Sequence, residues 1–199
     1  MHRTICIIPM KEPTLAKTRL SLALDSTERS MIAIKLFRNT ISNLLKSTLD
    51  IDIIVVTGSM LVREICMEFS LPYITEPPDS DLNKILEESC TWATDKNYKQ
   101  VIIIPSDLAN PNFSLLAKYL YKEADTSDQN KLTIFPSYDG GTNCLITSLP
   151  ILYSLQYGKG SALKHIEIAK SHGYHTELID TEAFRLDIDT IEDLQLMEK

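Results

Sequence analysis

Short runs of β-branched and aliphatic residues recur along this chain, separated by stretches with helical periodicity, and that alternation limits the fold more than any other feature. Ile5 to Ile8, Ile51 to Thr57 and Val101 to Ile104 are nearly continuous apolar runs, the pattern of strands covered on both faces. After the first, Asp25 and Glu28 stand three apart ahead of a long apolar-periodic stretch, so a capping box predicts a helix over about Ser26 to Leu45. Ser59 caps a second predicted helix reaching about Phe69. Asp81 to Thr94 reads as a third, with Leu82, Ile85, Leu86 and Ser89 on one side. Pro72 to Thr75 is a short edge-like strand, and Glu76 to Ser80 a turn. Helical crossovers between such strands imply a mostly parallel α/β sheet flanked by helices. Open sheets of this kind bind ligands beyond the carboxyl ends of their strands, which points to the loops after Ile8, Ile104 and Phe135.

The second half is less regular. A helix is predicted over Phe113 to Ala124, a polar linker over Thr126 to Lys131, and strands over Leu132 to Phe135 and Asn143 to Thr147. Tyr157 to Ser161 is a glycine-containing turn leading into a helix that ends near His172-Gly173. Tyr174 to Ile179 and Phe184 to Leu186 read as short strands, and Asp187 to Asp193 opens the terminal helix. At 199 residues the expectation is one domain spanning 1–199. The 20 Lys and Arg against 27 Asp and Glu leave a formal charge of −7, a poor match for nucleic acid. Nothing approaches the roughly 18 apolar residues of a membrane span, and the opening residues do not read as a signal peptide. Cys6, Cys66, Cys90 and Cys144 include no CxxC pair and read as free thiols of a reducing compartment. The expected location is the cytoplasm.

Three sets of residues carry candidate chemistry. Lys11, Lys17 and Arg19 follow the first strand, and three cations from one loop at the sheet's carboxyl edge suit a triphosphate. They equally suit a solvated basic loop. No GxxxxGK[ST] cradle occurs, which weakens ATPase and dinucleotide-binding readings. Asp107 directly follows the Val101 to Ile104 strand, where a carboxylate either holds Mg²⁺ or caps the next turn. Asp187 and Asp189, at i and i+2, point to one side and supply further carboxylates for a metal site if the chain returns to the sheet edge. Glu192 and Asp193 read more simply as charges in the first turn of the last helix, with Asp189 or Thr190 as cap.

The third set comprises two glycine turns. Ser137-Tyr-Asp-Gly-Gly-Thr-Asn143 places the uncharged donors Thr142 and Asn143 beside consecutive glycines. Tyr157-Gly-Lys-Gly-Ser161 puts Gly158, Lys159 and Ser161 at a helix N-terminus suited to an anion. Together they suggest a second anionic ligand, although tight turns use the same residues. His165 follows Ser161 by one turn and is either an anion contact or a structural histidine; His2, His172 and His175 carry no argument. The absence of HxxxH and GxSxG argues against a zinc site and a serine hydrolase.

These residues together resemble a family. The series Pro9-x-Lys11-x5-Lys17-Thr-Arg19-Leu20, Leu82-Asn83, Asp107, Gly140-Gly-Thr-Asn143, Gly158-x-Gly-Ser161 with His165, and Leu186-Asp-x-Asp-Thr190 with Glu192-Asp-Leu194 is similar to the 2-phospho-L-lactate and phosphoenolpyruvate guanylyltransferases of coenzyme F420 biosynthesis. The resemblance implies a fold of the nucleotide-diphospho-sugar transferase (GT-A-like) type. It implies transfer of GMP from GTP to a small phosphoacid with release of pyrophosphate. Carried over by residue, it gives Lys11, Lys17 and Arg19 to the GTP phosphates, Leu82 and Asn83 to the nucleotide side, and Asp107 to Mg²⁺. It gives Thr142, Gly158 and Ser161 to the acceptor, with Asn143 and His165 beside them.

The chain departs from the family pattern after the central strand. Pro105-Ser-Asp-Leu-Ala109 stands where many members have Asp-x-Asp-Leu-Pro, so the second metal ligand is expected from Asp187 or Asp189. Asp81 replaces a glycine before the Leu-Asn pair, and Ile191 a proline in the terminal signature. Two alternatives remain open at this stage: a cytidylyl- or uridylyltransferase of the same fold, and a non-catalytic GTP-binding relative. Expected partners are GTP, a three-carbon phosphoacid and, in transient contact, the next enzyme of the pathway, with no nucleic acid or membrane. The acceptor stays open among 2-phospho-L-lactate, phosphoenolpyruvate and 3-phosphoglycerate.

Overall fold

A computed structural model describes residues 3–120 and 130–197. Seven strands form one sheet: β1 (Thr4–Pro9), β2 (Asp52–Thr57), β3 (Tyr73–Thr75), β4 (Gln100–Ile103), β5 (Lys131–Pro136), β6 (Thr142–Ser148) and β7 (His175–Leu178), in the order β3-β2-β1-β4-β6-β5-β7. The first four are mutually parallel, joined by helices α1 (Ser26–Lys46), α2 (Met60–Glu68) and α3 (Leu82–Asp95). β6 runs antiparallel to both β4 and β5, so one reversed strand lies inside a mostly parallel sheet. The remaining helices are α4 (Ser161–Ser171), α5 (Glu182–Arg185) and α6 (Ile191–Met197).

The strands alternate between two apolar layers, as a period of two requires. Cys6 and Ile8 of β1 face Phe37 and Ile41 of α1 and Val62 and Ile65 of α2, whereas Ile5 and Ile7 face Ile85 and Leu86 of α3. All four cysteines are buried free thiols. Asp25 caps α1 as expected: its side chain accepts from Thr27 N and Glu28 N, while Glu28 reaches back to Asp25 N (2.9 Å). Among the described residues no helix is long and apolar enough to cross a membrane.

Two expected elements differ. Phe184 to Leu186 is not a strand: Glu182–Arg185 closes as a single helical turn, which drives Phe184 into the core against Phe113 and Phe135. The predicted helix from Phe113 is a 3-10 segment over Phe113–Lys118, whose three-residue turn puts Phe113 and Leu116 on one side, in the core. Residues 121–124 of that predicted helix, most of the Thr126 to Lys131 linker, and His2 lie outside the described residues.

Candidate active site

The β1 loop is pinned at its start and at its middle. Met10 N bonds Val56 O (2.9 Å) beside it, and further along the Arg29 guanidinium of α1 donates to Ala16 O (3.1 Å). Two 3-10 turns, Pro13–Leu15 and Thr18–Leu22, bracket Lys17, which takes a left-handed backbone at φ 55°. That conformation is uncommon for a residue with a side chain and is held where the surroundings over-determine it. Here the surroundings are acidic.

The carboxylates arrive by two routes. Asp107 follows β4, and its loop is braced by α1 through Asn39 to Ala109 O and Thr40 to Ser106 O (both 3.4 Å). The chain returns alongside after α5: Leu108 and Asp187 form an antiparallel bridge, with Ala109 N to Leu186 O (3.0 Å) and Ile188 N to Asp107 O (3.2 Å). Ile188 is fully buried beside Leu36 and Ala109, and this apolar anchor fixes Asp187 and Asp189 on either side of it. Thr190 and Asp193 then cap each other at the start of α6, as expected from the sequence.

Lys17 closes the cluster. Its ammonium, on a side chain only 4% exposed, bonds Asp107 Oδ2 and Asp189 Oδ1 (3.1 Å to the latter), while Arg19 reaches Asp189 Oδ2 at 3.2 Å from a largely exposed position. Burial works against the Lys17 charge, but Asp107 and Asp189 outweigh it and raise its pKa above the ordinary lysine value. Asp187 is pushed the other way for a carboxylic acid: burial, reinforced by the Asp107 charge, lifts it to about 6 against the opposing hydrogen bond from Asn143.

The acidic cluster fits a hard cation in donor chemistry, since every candidate atom is a carboxylate oxygen. Among the described residues no group of three His, Cys, Asp or Glu side chains is placed to hold one ion. Two carboxylates, with waters and phosphate oxygens completing the shell, are the set that magnesium usually takes from a nucleotide-binding protein.

The two glycine turns meet on the far side of β4. Ser137–Gly141 is the tip of the β5–β6 hairpin, and Ala162 N of α4 bonds Gly140 O (3.2 Å), tying it to the Tyr157–Ser161 turn. Gly160 caps α4 in the left-handed region (φ 67°), where a side chain would be strained. Thr142 Oγ1 lies 2.8 Å from Ser161 Oγ and 3.2 Å from His165 Nδ1. The backbone N–H of Gln156 donates to His165 Nε2 (2.8 Å), so that nitrogen is unprotonated and the proton sits on Nδ1. Burial lowers the ring's pKa to about 4. His165 is therefore a neutral, fully buried support for Thr142 and Ser161, with both ring nitrogens engaged.

Two other expected ligands are also occupied by protein. Asn143 donates to Phe184 O (2.8 Å) and Asp187 Oδ1 (3.1 Å), so its amide orients the acidic cluster from the neighbouring strand. Asn83 accepts from Tyr157 N (2.6 Å) and donates to Tyr157 O (3.4 Å), fastening the start of α3, where its neighbour Leu82 packs on the core, to the second glycine turn. Gly158 and Lys159 sit exposed in that turn. Lys11 lies apart from the Lys17 cluster, lining a cavity of about 500 Å³ at the carboxyl edge of β1, β2 and β3.

Sequence reasoning passed over two residues. Asp139 accepts from Ser137 Oγ (2.5 Å) and Gly141 N (3.0 Å), bonds that hold its carboxyl below the usual range with help from Arg19, and it shapes the hairpin tip. Glu76, read only as part of a turn, is buried in the cavity that Lys11 lines. A charged residue immediately after an edge strand, at the ligand-binding end of the sheet, was the available signal.

The chain is similar to known proteins over nearly its whole length. Residues 4–198 match the family described as guanylyl transferase CofC like. A 3-phospho-D-glycerate guanylyltransferase from Colwellia psychrerythraea is 30% identical over 197 residues, covering 98% of this chain and 91% of that protein. A 2-phospho-L-lactate guanylyltransferase from Methanothermobacter thermautotrophicus is 31% identical over 192 residues (96% and 82%). A phosphoenolpyruvate guanylyltransferase from Roseiflexus castenholzii is 27% identical over 191 residues (94% and 84%). In fold alone, the chain is similar to a crystal structure described as a nucleotide-diphospho-sugar transferase from Desulfovibrio desulfuricans, with TM-score 0.71 at 17% identity, covering 99% of this chain and 87% of that one. A nucleotidyl transferase from Methanothermobacter aligns with TM-score 0.62 at 15% identity, covering 100% and 97%.

Proposed function

This chain belongs to the CofC-like guanylyl transferase family, and from that premise we propose that it transfers GMP from GTP to the phosphate of a three-carbon phosphoacid, releasing pyrophosphate, as a step of coenzyme F420 biosynthesis in the cytoplasm. The observation that carries the reading is the Lys17 ammonium bonded to Asp107 and Asp189, with Arg19 alongside, at the carboxyl edge of the sheet. The cavity on one side is large enough for a nucleobase, and the hydroxyl-bearing turns on the other suit a phosphoacid.

The reaction makes few proton demands. An oxygen of the acceptor phosphate, already ionised near neutral pH, forms a bond to the α-phosphorus of GTP. The bond from that phosphorus to the bridging oxygen breaks, and its electron pair leaves with pyrophosphate. What the protein supplies is in-line placement and positive charge where negative charge gathers. Lys17 and Arg19 do this on the triphosphate, with Lys11 at the nucleotide end. Leu82 and Asn83 act on the GTP side by setting the start of α3. Thr142, Ser161 and the backbone around Gly158 hold the acceptor, Asn143 steadies Asp187, and His165 keeps the two hydroxyls in place. Asp107, with Asp187 or Asp189, would hold Mg²⁺, whose chemistry when bound is neutralisation of triphosphate charge.

The acceptor belongs to the class that the relatives' names span, 2-phospho-L-lactate, phosphoenolpyruvate or 3-phosphoglycerate. Purified protein incubated with each nucleoside triphosphate, Mg²⁺ and each acid should release pyrophosphate with GTP and at least one acid, giving a GMP adduct by mass spectrometry. GTP binding without pyrophosphate release with any of the three would overturn the reading.

A further inference from the structure

We propose that Glu76 is the residue that selects guanine, its carboxylate accepting from N1–H and the 2-amino group of the base in the cavity at the carboxyl edge of β1, β2 and β3. The proposal rests on the guanylyltransferase reading and adds to it the residue responsible for nucleotide choice. It starts from placement. Glu76 is the residue after β3, and its N–H bonds Thr57 O (3.0 Å), extending the sheet by one step at the ligand-binding end. Its backbone carbonyl lies 3.0 Å from where a Cβ on Gly58 would sit, so the β2 and β3 loops touch there and hold Glu76 in a fixed position.

The side chain is unusual for an acid. Glu76 is 8% exposed, and what surface it keeps lines the cavity of about 500 Å³. Ser80 Oγ, from the same loop, donates to Glu76 Oε1 and orients the carboxylate. Among the described residues no ion pair within 4.0 Å includes Glu76. A buried carboxylate without a cation is costly unless donors are brought to it. A carboxylate is an acceptor at every lone pair, so it recognises only an edge that offers donors.

That requirement separates the bases. Guanine presents two adjacent donors, N1–H and the 2-amino group. Adenine and cytosine each place a ring acceptor beside their amino group, and uracil places one N–H between two carbonyls. A fixed carboxylate is matched by guanine and opposed by lone pairs on the other three. Leu15, Pro77 and Pro78 give the cavity apolar surface for the ring, and Lys11 and Arg63 supply donors suited to O6 and N7. Lys11 shares its loop with Lys17, which orders base, triphosphate and carboxylate cluster along one edge of the sheet.

The test compares GTP with ITP, which differs only by lacking the 2-amino group. For the wild type, kcat/KM should favour GTP over ITP by about 10- to 100-fold, the effect of one hydrogen bond to a charged acceptor, and ATP should be a poorer substrate still. In Glu76→Gln, of nearly equal volume, the GTP-over-ITP ratio should fall to near one, with the loss in KM rather than kcat. Ser80→Ala, which removes only the orienting hydroxyl, should lower the ratio partway. Calorimetric binding of GTP and ITP without acceptor reads the same preference independently of turnover. If no nucleoside triphosphate releases pyrophosphate, the guanylyltransferase reading fails while the binding preference still decides the role of Glu76. A wild type indifferent to the 2-amino group, or a Glu76→Gln protein that keeps the wild-type ratio by either measurement, overturns the proposal.

Discussion

The Lys17 ammonium and the Asp107 carboxylate are directly bonded although 90 residues separate them, one carried by the loop after the first strand and the other by the loop after the fourth. Parallel neighbours β1 and β4 bring both loops to the same edge, and the left-handed backbone at Lys17 turns the side chain inward. If these groups serve phosphoryl chemistry, losing the carboxylate is a defect of turnover rather than of folding. Asp107→Ala is expected to lower kcat/KM roughly 100- to 1,000-fold, the usual effect of deleting one electrostatic contact to a transition state. Lys17 keeps Asp189, so the thermal midpoint should move by only a few degrees. Near-normal turnover with saturating Mg²⁺ would remove Asp107 from the site.

Magnesium should stabilise the folded chain without any substrate present. At ten times its Kd, a ligand bound only by the native state adds about 1.4 kcal/mol, a rise of roughly 3 to 5 °C in the melting temperature of a chain this long. Asp107→Asn should abolish that rise. A wild-type midpoint indifferent to Mg²⁺, or an equal rise in the variant, would contradict the assignment of the carboxylates to the metal.

His165 makes stability depend on pH in a defined direction. Its folded pKa, near 4, lies below the usual 6.5, so the unfolded chain binds the extra proton between those values and stability falls as pH drops through that window. The loss should total about 3 kcal/mol by pH 4. Urea unfolding of the wild type and His165→Gln from pH 7 to 4 isolates it, because the variant lacks this component of the slope. Parallel slopes would mean that the ring is not held neutral.

Asn143 should matter to both folding and activity. Its amide satisfies a backbone carbonyl and a half-buried carboxylate, and removing it leaves both without that donor. Asn143→Ala is expected to destabilise by about 2 kcal/mol and to reduce kcat more than the acceptor's KM, since what it steadies is Asp187. A selective rise in acceptor KM would instead favour direct contact with substrate.

The elements that position the site were legible where local chemistry decides them. The Asp25–Glu28 box, the β-branched runs of β1, β2 and β4, and the Thr190–Asp193 cap are each specified by residues close in sequence. Pairing partners were not. The short Ser137–Gly141 connection makes β6 antiparallel to β5, but nothing local says that β6 inserts between β4 and β5, or that Phe184 takes a helical turn to pack on Phe113 and Phe135. The same limit separates residue lists from roles. Lys17, Asp107 and Asp189 converge because the 186–188 segment pairs with 107–109, a contact between distant parts of the chain. Asn83, Asn143 and His165 carry polar groups suited to a ligand, and each also bonds protein, partnerships that only the three-dimensional packing shows. Glu76 was overlooked because its neighbours at Thr57 and Gly58 belong to a different strand and loop, 18 or more positions away.

The tip at Ser137–Gly141 connects adjacent antiparallel strands, whereas the nucleotide end is assembled from loops that feed helical crossovers. Altering a crossover loop disturbs the seating of a whole helix, but a hairpin apex can lengthen, shorten or exchange residues while its two stems stay zipped. If the small acid is held at this apex and the nucleotide at the crossover loops, selection or an engineer has a place to retune the first while leaving the grip on the second untouched.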